Sequence, residues 1–272
     1  MNLQHTLYSV DDGLAMITLN RPDARNALSE EMRADLDLII ADIKANLGES
    51  VRAVLITGAG KAFCAGGDVK SMSDPKRQDV VFGRTRMRRS QARLFDLLNL
   101  EVPVIAAVNG HAAGAGFGLA MMADFIVAGP STRFTCSFGR IGLMPDWGLL
   151  YTLPRAVGMQ KAKDIMFTNR RVKPDEGEAL GIVHHTAASD EDLMADATAF
   201  ARRFIKASTT AIGMTKNLLT KSFEMDHRTM LENEAFGQPI LAQTAYHKEA
   251  IRRFADKEKP MFDWEQIERD EG

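Results

Sequence analysis

The residues best placed to do chemistry in this 272-residue chain are glycines. Its 21 glycines gather in three clusters, Gly58 to Gly67, Gly110 to Gly118 and Gly139 to Gly148. A glycine after a strand commonly supplies the positive φ of a turn, and that reading stays open for any one cluster. A phosphate cradle fails on spacing. Gly60-Lys61 is followed by Ala62 and position 55 is Leu, so the pattern G-x-x-x-x-G-K-[ST] is absent. Gly58-Ala-Gly60 meets Phe63, and Gly114-Ala-Gly116 meets Leu119, where a dinucleotide fingerprint needs its third glycine. What such turns still offer is backbone N–H donation. Two of them, from different strands, can aim two N–H groups at one oxygen, an oxyanion hole worth roughly 3–4 kcal/mol of transition-state stabilisation per donor.

Few side chains add to this. Asp146, in Gly142-Leu-Met-Pro-Asp146-Trp-Gly148, is a carboxylate inside the third cluster. An aspartate after proline also suits a turn or a helix N-cap. Cys64 has no histidine in register and reads as a small buried filler. His111 and the pair His184-His185 receive no role. The run Arg84, Arg86, Arg88, Arg89, Arg93 could touch RNA, but no aromatic residues interleave it. A solvated helix face or a flap over the site explains it more simply.

The elements that must position these groups follow from apolar periodicity. Leu14–Leu19 alternates as a half-buried strand does. Val51–Thr57, Val102–Val108 and Phe125–Ala128 are more continuous, as in a sheet covered on both faces. Helical patterns cover the LSEEMRADLDLIIADI segment, about Arg86 to Leu100, and GFGLAMMAD. After Tyr151 strands become scarce, and Ala156–Phe167, Glu191–Lys206, Thr209–Phe223 and Met230–Phe254 read as helices. The order is that of an α/β chain with crossover connections. Residues 1–200 form the core and 201–272 a helical lobe, with no linker between them.

Composition narrows the class. Hydrophobic residues are 45% and charged residues 26%, an ordinary globular balance, and the formal charge of −2 offers no field to hold a polyanion. Cys64 and Cys136 cannot make a disulfide framework, and no Cys/His cluster has zinc spacing. There is no apolar run near the ~20 residues of a membrane span and no basic n-region at the N-terminus. The expectation is a cytoplasmic globular protein with no metal, nucleic-acid or membrane partner.

Taken together, Asn20-Arg21-Pro22, then Arg25-Asn26-Ala27-Leu28, ITGAGKAFCAGGDV (Ile56 to Val69), AAVNGHAAGAGFGLAMMADF (Ala106 to Phe125) and LPRAVG (Leu153 to Gly158) resemble the crotonase, or enoyl-CoA hydratase/isomerase, superfamily over nearly the whole chain. The resemblance implies a spiral of ββα turns with a helical C-terminal trimerisation lobe, a homotrimer or dimer of trimers, and acyl-CoA thioester substrates of fatty-acid β-oxidation. It requires no separate cofactor, since coenzyme A is part of the substrate. By position, the N–H groups of Gly67 and Ala115 form the oxyanion hole. Arg25, Ala27, Ala65, Gly66, Asp68 and Val69 match the CoA pocket. Gly114, Phe138, Leu143 and Trp147 surround the acyl group, and Phe254 and Lys257 reach a neighbouring subunit's CoA.

The acid/base positions separate the reactions. Hydratases of the family use two glutamates because water and proton are delivered separately. Here the matching positions hold Gly118 and Phe138. Asp146 matches the single acid of PaaG-type isomerases, and an apolar surround of Phe138, Ile141, Leu143, Met144 and Trp147 is expected to raise its pKa. The reading is an isomerase taking 3-enoyl-CoA to 2-enoyl-CoA. The alternatives are a hydratase with an unidentified second acid, or a family member that binds acyl-CoA or RNA without turnover. Aryl-CoA dehalogenase chemistry lacks its partners, because Phe138 and Gln91 stand where tryptophan and histidine are needed.

Overall fold

The computed structural model describes residues 1–68, 75 and 79–271. It opens with a hairpin, β1 (Thr6–Asp11) against β2 (Leu14–Leu19), whose turn is Asp12-Gly13 with φ of 43° and 82°. Two consecutive positive φ values are the geometry that matches the twist of a two-residue hairpin, which explains the Asp-Gly pair. β1 is absent from the periodicity because it is an edge strand with mostly exposed side chains.

β3 (Ala53–Gly58) and β4 (Val104–Val108) are buried at every position, as their unbroken apolar runs require. β5 (His111–Ala113) follows directly, then β6 (Phe125–Ala128), β7 (Arg133–Thr135), β8 (Arg171–Val172) and β9 (His185–Thr186). The large sheet has the order β1-β2-β3-β4-β6-β9, parallel from β2 onward. β5, β7 and β8 make a second, three-stranded sheet. Strands this short carry too little periodicity to be read from sequence.

Helices Glu30–Ala45 and Val80–Leu98 cover this frame. The first is capped by Ser29, whose Oγ accepts the Met32 N–H at 3.1 Å, and buries Met32, Leu36, Ile39, Ile40 and Ile43 as the spacing requires. The second starts six residues before the expected Arg86, because Asp79 accepts the N–H groups of Val81 and Phe82 and caps it there. The expected helices Ala156–Phe167 and Met230–Phe254 are each interrupted. Gly158, with φ of 77°, separates Leu149–Val157 from Met159–Thr168, and Thr244 caps Ala245–Ala255 after His227–Ala242 ends. Among the described residues no helix is long and apolar enough to cross a membrane.

Of the later helices, Leu193–Arg202 packs on the large sheet, and one ion pair fastens Thr209–Thr220. Lys216 Nζ lies 2.7 Å from Asp124 Oδ2 and 3.2 Å from the Val102 carbonyl, while the Val104 N–H donates to the same Oδ2 at 2.8 Å. Removing one partner strands the other charge in an apolar setting. Asp124→Ala should therefore lower the unfolding free energy by about 3–5 kcal/mol, read by urea denaturation. A loss under about 1 kcal/mol, the level of an exposed pair, would contradict the role given to it.

Candidate active site

The first glycine cluster is held by the 21–28 segment. Asn26, buried at φ of 56°, donates from Nδ2 to the carbonyls of Ala59 (2.9 Å) and Ala62 (2.7 Å) and accepts the Arg21 N–H at 2.8 Å. The Ala65 N–H donates to Arg25 O at 2.9 Å, and the Leu28 N–H to Gly66 O at 2.8 Å. Gly66 is at φ of 95°, and a Cβ there would lie 2.6 Å from Ala113 O, so only glycine fits. Asp68 is drawn aside by Arg21, whose Nη1 is 3.0 Å from Asp68 Oδ2 and 2.8 Å from Ala27 O.

The second cluster is zipped to the first. The Cys64 N–H donates to His111 O at 3.0 Å, and the Ala113 N–H to Cys64 O at 2.9 Å. Gly114, at φ of 53° and ψ of −120°, then turns the chain into the short helix Ala115–Ala120. Within the described residues, the N–H groups of Gly67 and Ala115 donate no hydrogen bond. They are neighbours, since a Cβ on Gly66 would come within 3.4 Å of Ala115 N. Two unspent donors on adjacent turns can converge on one oxygen.

The third cluster lies against that short helix. A Cβ on Gly114 would touch the Phe138 ring at 3.7 Å, and the Leu143 N–H donates to Phe138 O at 3.1 Å. Trp147 sits at φ of 52°, an uncommon conformation for a bulky residue, followed by Gly148 at 71°. Packing holds it there: the indole is buried, and the Arg33 guanidinium carbon stands 5.9 Å from its ring centroid. A Cβ on Gly118 would meet Trp147 O at 2.5 Å and Trp147 Cβ at 2.7 Å. The backbone of residue 147 thus occupies the space where a side chain at 118 would begin.

Asp146 faces a cavity of about 470 Å³ whose walls include Met87, Gln91, Leu94, Met122 and Leu150. Its Oδ1 is buried without a hydrogen-bond partner. Burial raises its pKa above the ordinary carboxylate range, opposed by the charges of Arg86 and Arg33 and by its own backbone N–H. The source of that dryness differs from the sequence reading. Ile141, Leu143 and Met144 are 61%, 53% and 76% exposed, and Ile141 and Leu143 do not line the cavity. Met144 and the buried Trp147 do line it, and the helix Val80–Leu98 adds Met87, Leu94, Phe95 and Leu98. Glu224 is the other carboxylate lining this cavity among the described residues, and Arg155 Nη2 holds it at 3.0 Å.

Arg25 is exposed at φ of 50°. With Arg133 and Arg171 it depresses the pKa of His111, after the larger effect of that ring's burial, so three cations gather on this side. Ala27, Ala65 and Gly66 lie on the two paired segments, while Val69 lies outside the described residues. Phe254 is 84% exposed, and neither it nor Lys257 lines the Asp146 cavity within one chain. Cys64 is buried and its thiol is pushed up to about 12 by desolvation, which makes it inert. Of the arginine run, Arg93 is bound to Asp37 at 2.6 and 2.7 Å. Arg33 escaped the sequence reading, although its place on the stripe Arg33, Leu36, Ile40 marks a cation on a buried face. Among the described residues no group of three His, Cys, Asp or Glu could hold a metal ion.

The chain is similar to known proteins over nearly its whole length. The enoyl-CoA hydratase/isomerase family matches residues 9–266. The 1,2-epoxyphenylacetyl-CoA isomerase of Escherichia coli is 30% identical, covering 96% of this chain and 98% of its own. The short-chain-enoyl-CoA hydratase of Clostridium acetobutylicum is 33% identical over 95% and 97%. The crystal structure of an enoyl-CoA hydratase/isomerase from Cupriavidus metallidurans superposes with a TM-score of 0.90 at 33% identity, covering 96% and 97%.

The contact between residues 118 and 147 is directly testable. Because the atoms in the way are backbone, Gly118→Ala cannot be absorbed by a rotamer change. It should cost about 1–3 kcal/mol of stability in thermal or chemical unfolding and displace the Asp146 loop. A neutral Gly118→Ala would show that the approach is looser than described.

Proposed function

We propose that this chain, which belongs to the enoyl-CoA hydratase/isomerase family, moves a double bond of an acyl-CoA from the 3- to the 2-position with Asp146 as its one acid/base group. The observation that carries the reading is the count of available carboxylates. Hydration needs two, and Gly118 has no side chain, Phe138 is apolar, and Glu224 is paired with Arg155. The named relatives include both an isomerase and a hydratase, so this chain's own residues must decide.

The chemistry follows from the arrangement. The thioester oxygen would accept from the Gly67 and Ala115 N–H groups, which lowers the cost of negative charge developing there. The Asp146 carboxylate then takes a proton from C2 of the 3-enoyl group. The electron pair released spreads through the thioester and the C3–C4 double bond as a dienolate. Asp146 returns the same proton to C4, leaving the double bond between C2 and C3. One carboxylate suffices because the proton is moved rather than exchanged for water. Burial makes Asp146 a stronger base than a solvated aspartate, and the charges of Arg86 and Arg33 oppose that shift.

The CoA end would lie along Arg25, Ala27 and the 65–68 segment, with the cations around His111 favouring its phosphates. The 201–272 helices would assemble the trimer. Their exposed Phe236, Ile240, Ile251 and Phe254 suit coverage by a second copy, and Phe254 and Lys257 would then reach the neighbouring CoA.

Offered 3-enoyl-CoA and 2-enoyl-CoA side by side, the protein should isomerise the first and hydrate neither. Asp146→Asn should lose roughly 10²–10⁴-fold in kcat/KM. Activity should fall on acidification with a midpoint above about 3.9, the ordinary aspartate value, because the ionised form is the base. The linked stability has the opposite sense. A raised folded pKa means stability present below the unfolded pKa and lost as pH rises through the folded one, so Asp146→Asn should melt higher than wild type at neutral pH. Isomerisation surviving in Asp146→Asn, or brisk hydration without isomerisation, would overturn the reading.

A further inference from the structure

We infer that Tyr151 sets the length of acyl chain this protein accepts, restricting it to short and medium chains; this rests on the reading above that the cavity beside Asp146 receives the acyl group. That cavity, about 470 Å³, does not end in solid packing. Behind it lies a second one of about 320 Å³, and the two share Leu98, Tyr151 and Thr220 in their walls. Met121, Ile126, Ile182, Leu219 and Phe223 line the second space beside Asp124 and Arg155. Its apolar side chains suit a hydrocarbon tail, and Tyr151 stands in the wall between it and the Asp146 cavity.

The tyrosine is built as a wall rather than a gate. Its hydroxyl donates to the Thr220 carbonyl at 2.5 Å, which ties the ring to the end of the Thr209–Thr220 helix. The Arg155 guanidinium covers the ring, 3.4 Å from its centroid, and donates to the Tyr151 carbonyl at 3.1 Å. Arg155 Nη2 donates in turn to Glu224 at 3.0 Å. Swinging the ring aside would break the hydroxyl bond and the stacking together. The wall also stands close to the chemistry. Asp146 and Tyr151 line the same cavity, so a lengthening acyl group with C2 to C4 at Asp146 meets the ring before the second space.

Binding of saturated acyl-CoAs, from butyryl to palmitoyl, tests this by calorimetry without any turnover. Wild-type affinity should rise about fourfold per methylene, the equivalent of about 0.8 kcal/mol, and stop rising once the chain meets Tyr151. Tyr151→Phe keeps the ring and should keep the break. Tyr151→Ala joins the cavities and should move the break to longer chains. Tyr151→Leu opens the same passage with less packing lost, and carries the test if the alanine variant does not fold. A wild-type series without a break, or a break unmoved in the opened variants, overturns the inference. A protein that hydrates rather than isomerises would give the same binding series, so the two readings fail separately.

Discussion

The close approach of the Trp147 backbone to Gly118 is the constraint on which the rest of this site depends. A carbonyl 2.5 Å from where a Cβ would stand leaves no place for a side chain at 118, and with it no place for a proton-transferring group there. The same approach carries Asp146, one residue earlier, to the short helix whose first N–H belongs to Ala115. Absence of one acid and placement of another are thus a single packing event. Its cost is a tryptophan in a left-handed conformation, a strain of order 1–3 kcal/mol, offset by burial of the indole beneath Arg33.

Around that contact the fold supplies two kinds of environment within one small region. Backbone hydrogen bonds between the 25–28, 64–67 and 111–113 segments are used so completely that the N–H groups left over at Gly67 and Ala115 stand out. The helix Val80–Leu98 lines the Asp146 cavity with Met87, Leu94, Phe95 and Leu98 beside Ser90 and Gln91. Desolvation pushes the Asp146 carboxyl towards its neutral form, and Arg86 and Arg33 pull it back. A group held between those pressures can both take and return a proton, which a freely solvated aspartate does poorly.

Much of this was legible in the sequence, for physical reasons that differ by element. Val104–Val108 and Ala53–Gly58 announced themselves because strands buried on both faces must be continuously apolar. The helix Glu30–Ala45 did so because a half-buried helix must alternate at its own period. Glycines 66 and 114 marked turns that only glycine makes easily, and Asp146 was visible as the carboxylate among them. What escaped depends on long-range packing. The apolar surround was assigned to Phe138, Ile141, Leu143, Met144 and Trp147, near Asp146 in sequence; Met144 and Trp147 line the cavity, Ile141 and Leu143 do not, and Met87 and Leu94 come from another helix. Gly118 was read as the loss of a glutamate; that it also receives the Trp147 backbone could not be seen without the third dimension. The helix breaks at Gly158 and Thr244 were missed because apolar periodicity ran across them.

The most direct test of a single-carboxylate proton shift is the mass of the acyl-CoA recovered after incubating 3-enoyl-CoA with the protein in oxygen-18 water. An isomerase confined to moving one proton leaves the acyl group with its original oxygen content, and the expected product is 2-enoyl-CoA free of the label. Accumulation of 3-hydroxyacyl-CoA carrying oxygen-18 would mean that water is activated in this site, and it would contradict the role assigned to Asp146, Gly118 and Trp147 together.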